Sequence, residues 1–127
     1  MKQAFVSFDF DHDLDLKTLI ETQAKTPGTP FRVQGSSTNE PFVDNWKART
    51  KKRITGCDLF IVICGEHTDE SQAVSAELQI AREERVPYFF LRGRPRSRCA
   101  KPELAPDQDK IYEWTLDSLK MLVGGLR

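Results

Sequence analysis

The chain is poor in the features that most readily betray a function. Cysteine is scarce: Cys57, Cys64 and Cys99 are an odd set with no C-x-x-C pair. Reduced thiols in a cytoplasmic protein are the simplest reading. No apolar run approaches the roughly 20 residues needed to span a bilayer. The first residues reach Asp9 quickly and carry no secretion-signal pattern. Neither charge is in surplus: 19 Lys and Arg face 19 Asp and Glu. That balance argues against broad nucleic-acid binding, which needs extra cations. There is no G-x-G-x-x-G after the first apolar run and no G-x-x-x-x-G-K-[ST] anywhere. A nicotinamide dehydrogenase and a P-loop NTPase are set aside on that ground.

What is present reads as one globular domain over residues 1–127, with 39% hydrophobic and 30% charged residues. Ala4 to Phe8 is a short buried strand, followed by the acidic loop Asp9-Phe-Asp-His-Asp13. Leu16, Leu19, Ile20 and Gln23 follow helical spacing until Thr26-Pro-Gly-Thr-Pro30 stops them. Phe31 to Gln34 is a weak strand. Pro41 suits the first turn of a helix whose inner side is Val43, Trp46, Thr50 and Ile54, with Gly56 closing it. Asp58 to Cys64 is almost wholly apolar, as in a strand covered on both faces. A helix over Ser71–Ala81 follows, with Asp69 and Gln72 as its expected capping box. Val86 to Leu91 is a fourth strand and Ile111 to Trp114 a fifth. Leu116, Leu119 and Val123 mark a last helix, stopped by Gly124-Gly125.

Strands alternating with helices predict an α/β, flavodoxin-like three-layer sandwich. Its sheet has five parallel strands in the order 2-1-3-4-5, with helices on both faces. Ligands in such folds sit beyond the carboxyl ends of the strands where the order reverses. Here that means the loops after Phe8 and Cys64.

The start of the helix that carries Glu77 lies at that same edge. The neighbours of Glu77 at i−4, i−3, i+3 and i+4 are Ala73, Val74, Ile80 and Ala81, all apolar. It therefore lies in the stripe that the helix buries, while Gln72, Ser75, Gln79 and Arg82 turn elsewhere. An unpaired carboxylate costs several kcal/mol to bury, as an order of magnitude. Either it has structural partners or it works in a cleft.

Several chemistries compete for the cleft. A receiver domain needs an Asp where Cys64-Gly65 stands. Asp9-Phe10-Asp11 superficially matches the Asp-x-Asp of haloacid-dehalogenase-like phosphatases, with Asp69 and Glu70 as possible metal partners. His12 and His67 lie in loops at the same edge without recognisable metal-ligand spacing, so no metal is expected. Lys47 to Arg53 reads as a solvated helix face. Arg92 to Arg98 is either a solvated loop or a contact for phosphates or an acidic partner.

Phe5-Val-Ser-Phe8 running into Asp9–Asp13 resembles the opening of TIR domains. Cys64-Gly-Glu-His-Thr68 through Ser71-Gln-Ala-Val-Ser-Ala-Glu-Leu78 resembles the TIR segment after the central strand. The likeness covers about the first ninety residues and is closest to the TIR-like proteins of Thoeris antiphage systems. It implies a cytoplasmic NAD+ glycohydrolase or cyclase, with NAD+ as substrate and no separate cofactor. The product would be an ADP-ribose-derived signal read by a separate effector protein. It also implies self-association or pairing with other TIR-like domains; the charge balance and the lack of long apolar runs predict no nucleic-acid or membrane partner.

The catalytic residue it implies is Glu77. Phe8, Asp9, Asp11, Trp46, Gly65, His67, Thr68 and Ser71 are the implied substrate-binding set. Four of them have a plainer role too: Phe8 and Trp46 as core, Asp9 as a cap or solvated loop residue, Ser71 as the helix cap. A non-catalytic TIR-like interaction module is the alternative.

Overall fold

The computed structural model describes residues 1–39 and 42–125. Its frame is a sheet whose inner strands, β1 (Lys2–Ser7), β3 (Leu59–Cys64) and β4 (Tyr88–Arg92), carry much of the buried apolar core. β2 (Phe31–Ser36) and the two-residue β5 (Ile111–Tyr112) form the edges. The order is β2-β1-β3-β4-β5 and every pairing is parallel, the flavodoxin-like arrangement the alternation of elements predicts.

The two-residue period of the strands sorts their side chains between two cores. Ala4, Val6, Ile61, Ile63 and Leu91 pack with Leu16 and Ile20 of α1 (Leu14–Ala24) and with Leu119 and Leu122 of α4 (Leu116–Val123). Phe5, Phe60, Val62 and Phe90 pack on the other side, with Ile54 of α2 (Trp46–Thr55) and Val74, Leu78 and Ala81 of α3 (Gln72–Glu83). All six residues of β3 are buried, because helices cover both of its faces.

Some boundaries differ from the periodicity. The second helix begins at Trp46, after Asn45 in a left-handed conformation (φ 60°). Val43 precedes it and is exposed, and Pro41 lies outside the described residues. The third helix is capped by Ser71, whose hydroxyl accepts from the Val74 amide at 3.2 Å, rather than by Asp69. Asp69 sits instead in a single 3-10 turn, Thr68–Glu70. Ser75, expected off the buried stripe, is buried. The polar segment after β4 folds over it, and the Leu104 amide donates to its Oγ at 3.3 Å. The fifth strand ends at Tyr112, and the Trp114 indole turns away to donate to Gln23 Oε1.

Candidate functional site

Alternation along β1 decides what meets Glu77. Phe5 faces the α2 and α3 side, so Ser7, two residues on, faces it as well. The Ser7 hydroxyl donates to Glu77 Oε1 at 2.7 Å. Ser37, just past β2, donates to the same oxygen at 2.6 Å and accepts from the Phe8 amide at 3.1 Å. Glu77 is only 2% exposed, and both serines are buried. Burial pushes its carboxyl up to about 7, against the opposing pull of the Ser37 and Ser7 hydroxyls and of the Arg53 charge. Arg53 is anchored nearby, its Nη2 donating to Ser36 O at 2.6 Å and its guanidinium 5.2 Å from the Phe5 ring centre. The carboxylate is thus tied to β1 and to the end of β2 by hydroxyls.

A groove of about 420 Å³ opens above this layer. The loop after β1 supplies Phe8, Asp9, Phe10, Asp11 and His12. Ser37 to Asn39, Phe42 and the approach to α3, Glu70 to Ala73, complete it. Of the residues singled out from the sequence, Phe8, Asp9, Asp11 and Ser71 line this groove. Ser37 joins it to the layer beneath, since the same side chain lines the groove and bonds Glu77.

The others are distributed differently. Trp46 is buried in the α2/α3 core and borders a neighbouring hollow. Phe42 stands between the two, its ring centre 4.8 Å from that of Trp46. His67 stacks on His12, ring centres 4.1 Å apart. His12 Nδ1 contacts Asp9 Oδ2 at 2.6 Å, and His67 Nδ1 contacts Glu70 Oε2 at 2.7 Å. The Glu70 hydrogen bond holds the His67 imidazolium and raises its pKa. Gly65 and Thr68 lie behind this pair, the Thr68 hydroxyl accepting from the Gly65 amide at 2.8 Å.

The arginine-rich segment reaches the same edge. Arg94 is not a solvated cation there. It donates from Nη1 to Asp15 Oδ2 and from Nη2 to Asp15 Oδ1, both at 2.8 Å. Nη2 also bonds Asp13 Oδ1 at 3.0 Å and the His12 carbonyl at 3.1 Å. One guanidinium thus clamps the loop that forms the groove wall. The two carboxylates respond oppositely. Arg94 lowers the exposed Asp15, whereas burial raises Asp13 despite the same partner. Gly65 backs this arrangement, because a Cβ there would overlap the Asp13 carboxylate.

Among the described residues no group of three or more His, Cys, Asp or Glu is arranged to hold a metal ion. Asp9 spends its oxygens on the Asp11 amide and His12, an arrangement that gives the Asp-x-Asp phosphatase reading no support. All three cysteines are free thiols, and burial pushes Cys57 up to about 11. Ser7 and Ser37 were not among the residues singled out from the sequence, and Arg94, read there as a phosphate or partner contact, is instead an internal tie. A lone serine inside an apolar strand is the one signal that could have found Ser7.

A parallel α/β sheet with a carboxylate buried beneath a groove at its carboxyl edge defines the class: a flavodoxin-like domain with a TIR-type cleft. The family described as Thoeris protein ThsB, TIR-like domain, matches residues 5–92, more than two-thirds of the chain, and the chain belongs to that family of defence proteins. No individual curated protein matches it. Among the described residues no helix is long and apolar enough to cross a membrane.

Proposed function

We propose that this chain cleaves the bond between nicotinamide and ribose in NAD+, producing an ADP-ribose-derived signal in antiphage defence. The single observation that carries the reading is Glu77, buried beneath the groove in the segment shared with the family. As nicotinamide leaves with the bonding electron pair, positive charge grows on the ribose carbon. A fixed carboxylate in a water-poor site stabilises that charge strongly. Ser37 marks the route to it: a ribose hydroxyl entering the groove beside Ser37 can replace the serine as a donor to Oε1. Water then attacks the ribose carbon, or a nucleophile within the ADP-ribose closes a ring. Phe8, Asp9 and Asp11 form the walls around the nucleotide. A separate effector reads the product, and contacts between like domains regulate the groove.

One observation favours a second reading. Both serines serve Glu77 Oε1, so the carboxylate also acts as an internal tie between β1, β2 and α3. In a non-catalytic interaction module that tie would be its whole role. The deciding measurement is nicotinamide release from NAD+ by the wild type and by Glu77→Gln. The enzymatic reading expects a loss of at least about 100-fold in the Gln variant, on the scale of removing one electrostatic transition-state contact, with the fold retained. Equal turnover by the two folded proteins sinks the catalytic assignment. A Gln variant that unfolds, beside a wild type with no turnover, favours the tie.

A further inference from the structure

At the amino-terminal ends of β4 and β5, away from Glu77, lies a further hollow of about 610 Å³. That is a size that holds small ligands. Arg82, Arg85 and Lys110 bring three cations to its lining, and Tyr88 and Tyr112 bring two rings. The lining carboxylate, Asp109, accepts a hydrogen bond from the Tyr88 hydroxyl. The wall is therefore cationic and aromatic together.

Arg85 is the informative residue. It follows α3, where the helix end is closed by Arg85 N to Arg82 O at 3.1 Å and Val86 N to Ala81 O at 2.9 Å. Its φ is 58°, the left-handed conformation usually given to glycine at a helix end. An L side chain is strained there, and strain of this kind, which the surrounding structure must hold, clusters at ligand sites. Helix electrostatics alone do not call for it, since Arg82 already occupies the last turn, where a cation complements the helix dipole.

We propose that this hollow binds a phosphorylated small molecule with a flat ring, of the mononucleotide class. Arg82, Arg85 and Lys110 hold the phosphate, as charge-assisted donors do. The Tyr88 and Tyr112 rings pack against the base.

The test is an amide NMR titration of the full chain with AMP, alongside Arg85→Gly and an Arg82→Ala/Lys110→Ala double variant. AMP should move the amides of Val86, Tyr88, Lys110 and Tyr112. Adenosine and inorganic phosphate, each lacking one half of the ligand, should bind on the order of tenfold more weakly or worse. Arg85→Gly should have opposite effects on the two readouts. Relief of the backbone strain should raise the melting temperature by about 2–5 °C, while AMP affinity falls about tenfold. A purely structural Arg85 would show the first change without the second, which overturns the proposal. Shifts confined to Asp9–His12 and Ser37–Asn39 overturn it too, and leave the reading of the Glu77 groove standing. The absence of shifts at millimolar AMP removes this site alone.

Discussion

Glu77 is fully buried with hydroxyls for hydrogen-bond partners, and the burial, only partly offset by those hydroxyls, sets how it responds to pH. Its folded value of about 7 lies above the ordinary 4.5. The neutral form therefore stabilises the fold fully below about 4.5, and that contribution is lost as pH rises through about 7. The ionised form needed for charge stabilisation grows over the same window. Activity should thus climb with pH while stability relative to Glu77→Gln declines. The Gln variant should match the wild type at pH 5 and exceed it at pH 8 by on the order of 1–3 kcal/mol. Thermal melts of both proteins at the two pH values check this; parallel curves would contradict it. Ser37 supplies the largest downward pull on that carboxyl. Ser37→Ala should move the midpoint of the pH–rate profile upward, with most of the loss at pH 7 recovered near pH 9. An unshifted midpoint would mean that Ser37 does not control the ionisation of Glu77. Glu77 itself was legible in the sequence, because its four apolar helical neighbours mark a buried stripe. Its partners were not, since Ser37 belongs to a loop whose position depends on β2.

The loop after β1 is the element whose placement the sequence left most open. The acidic run alone does not show which of its residues are buried; Asp13 is 2% exposed and held by Arg94 from the segment after β4. Losing Arg94 leaves that carboxylate buried without a cation. Arg94→Met should therefore destabilise the chain by about 1–3 kcal/mol, below a fully buried pair because the guanidinium is a third exposed. The sign of the pH effect follows from the pairing. The loss should be larger at pH 8, where Asp13 must stay ionised, than at pH 4–5, where it can take up a proton. Urea midpoints at both pH values measure it, and a variant as stable as the wild type would show that the clamp contributes nothing. Arg92–Arg98 therefore divides: Arg94 is a tie within the domain, whereas Arg96 and Arg98 are exposed.

For the whole molecule, those two exposed cations are the part of the segment left for a partner. If like domains meet through this edge, reversing Arg96 and Arg98 to Glu should shift the oligomer distribution in light scattering. Stability should move by no more than about half a kcal/mol, as for most surface substitutions. An unchanged distribution would leave the segment with its Arg94 clamp on the β1 loop alone.

The strands, the helices, their order in the sheet and the edge that carries the groove were all readable from the chain. Periods of two and 3.6 are local properties, and parallel strands joined by right-handed helical crossovers admit few arrangements. The partners of the functional groups were a tertiary matter. Ser7 and Glu77 are 70 residues apart, and Arg94 and Asp13 are 81 apart. No local pattern encodes which side chains converge once two helical layers close on a sheet. The same cause left Phe42 at the groove and buried Ser75 beneath the backbone at Leu104. Hydrophobic periodicity determined the scaffold, because burying apolar surface depends on which face a residue occupies. The site's electrostatics were decided only by packing, because hydrogen bonds and desolvation depend on which atoms end up within about 3 Å of one another.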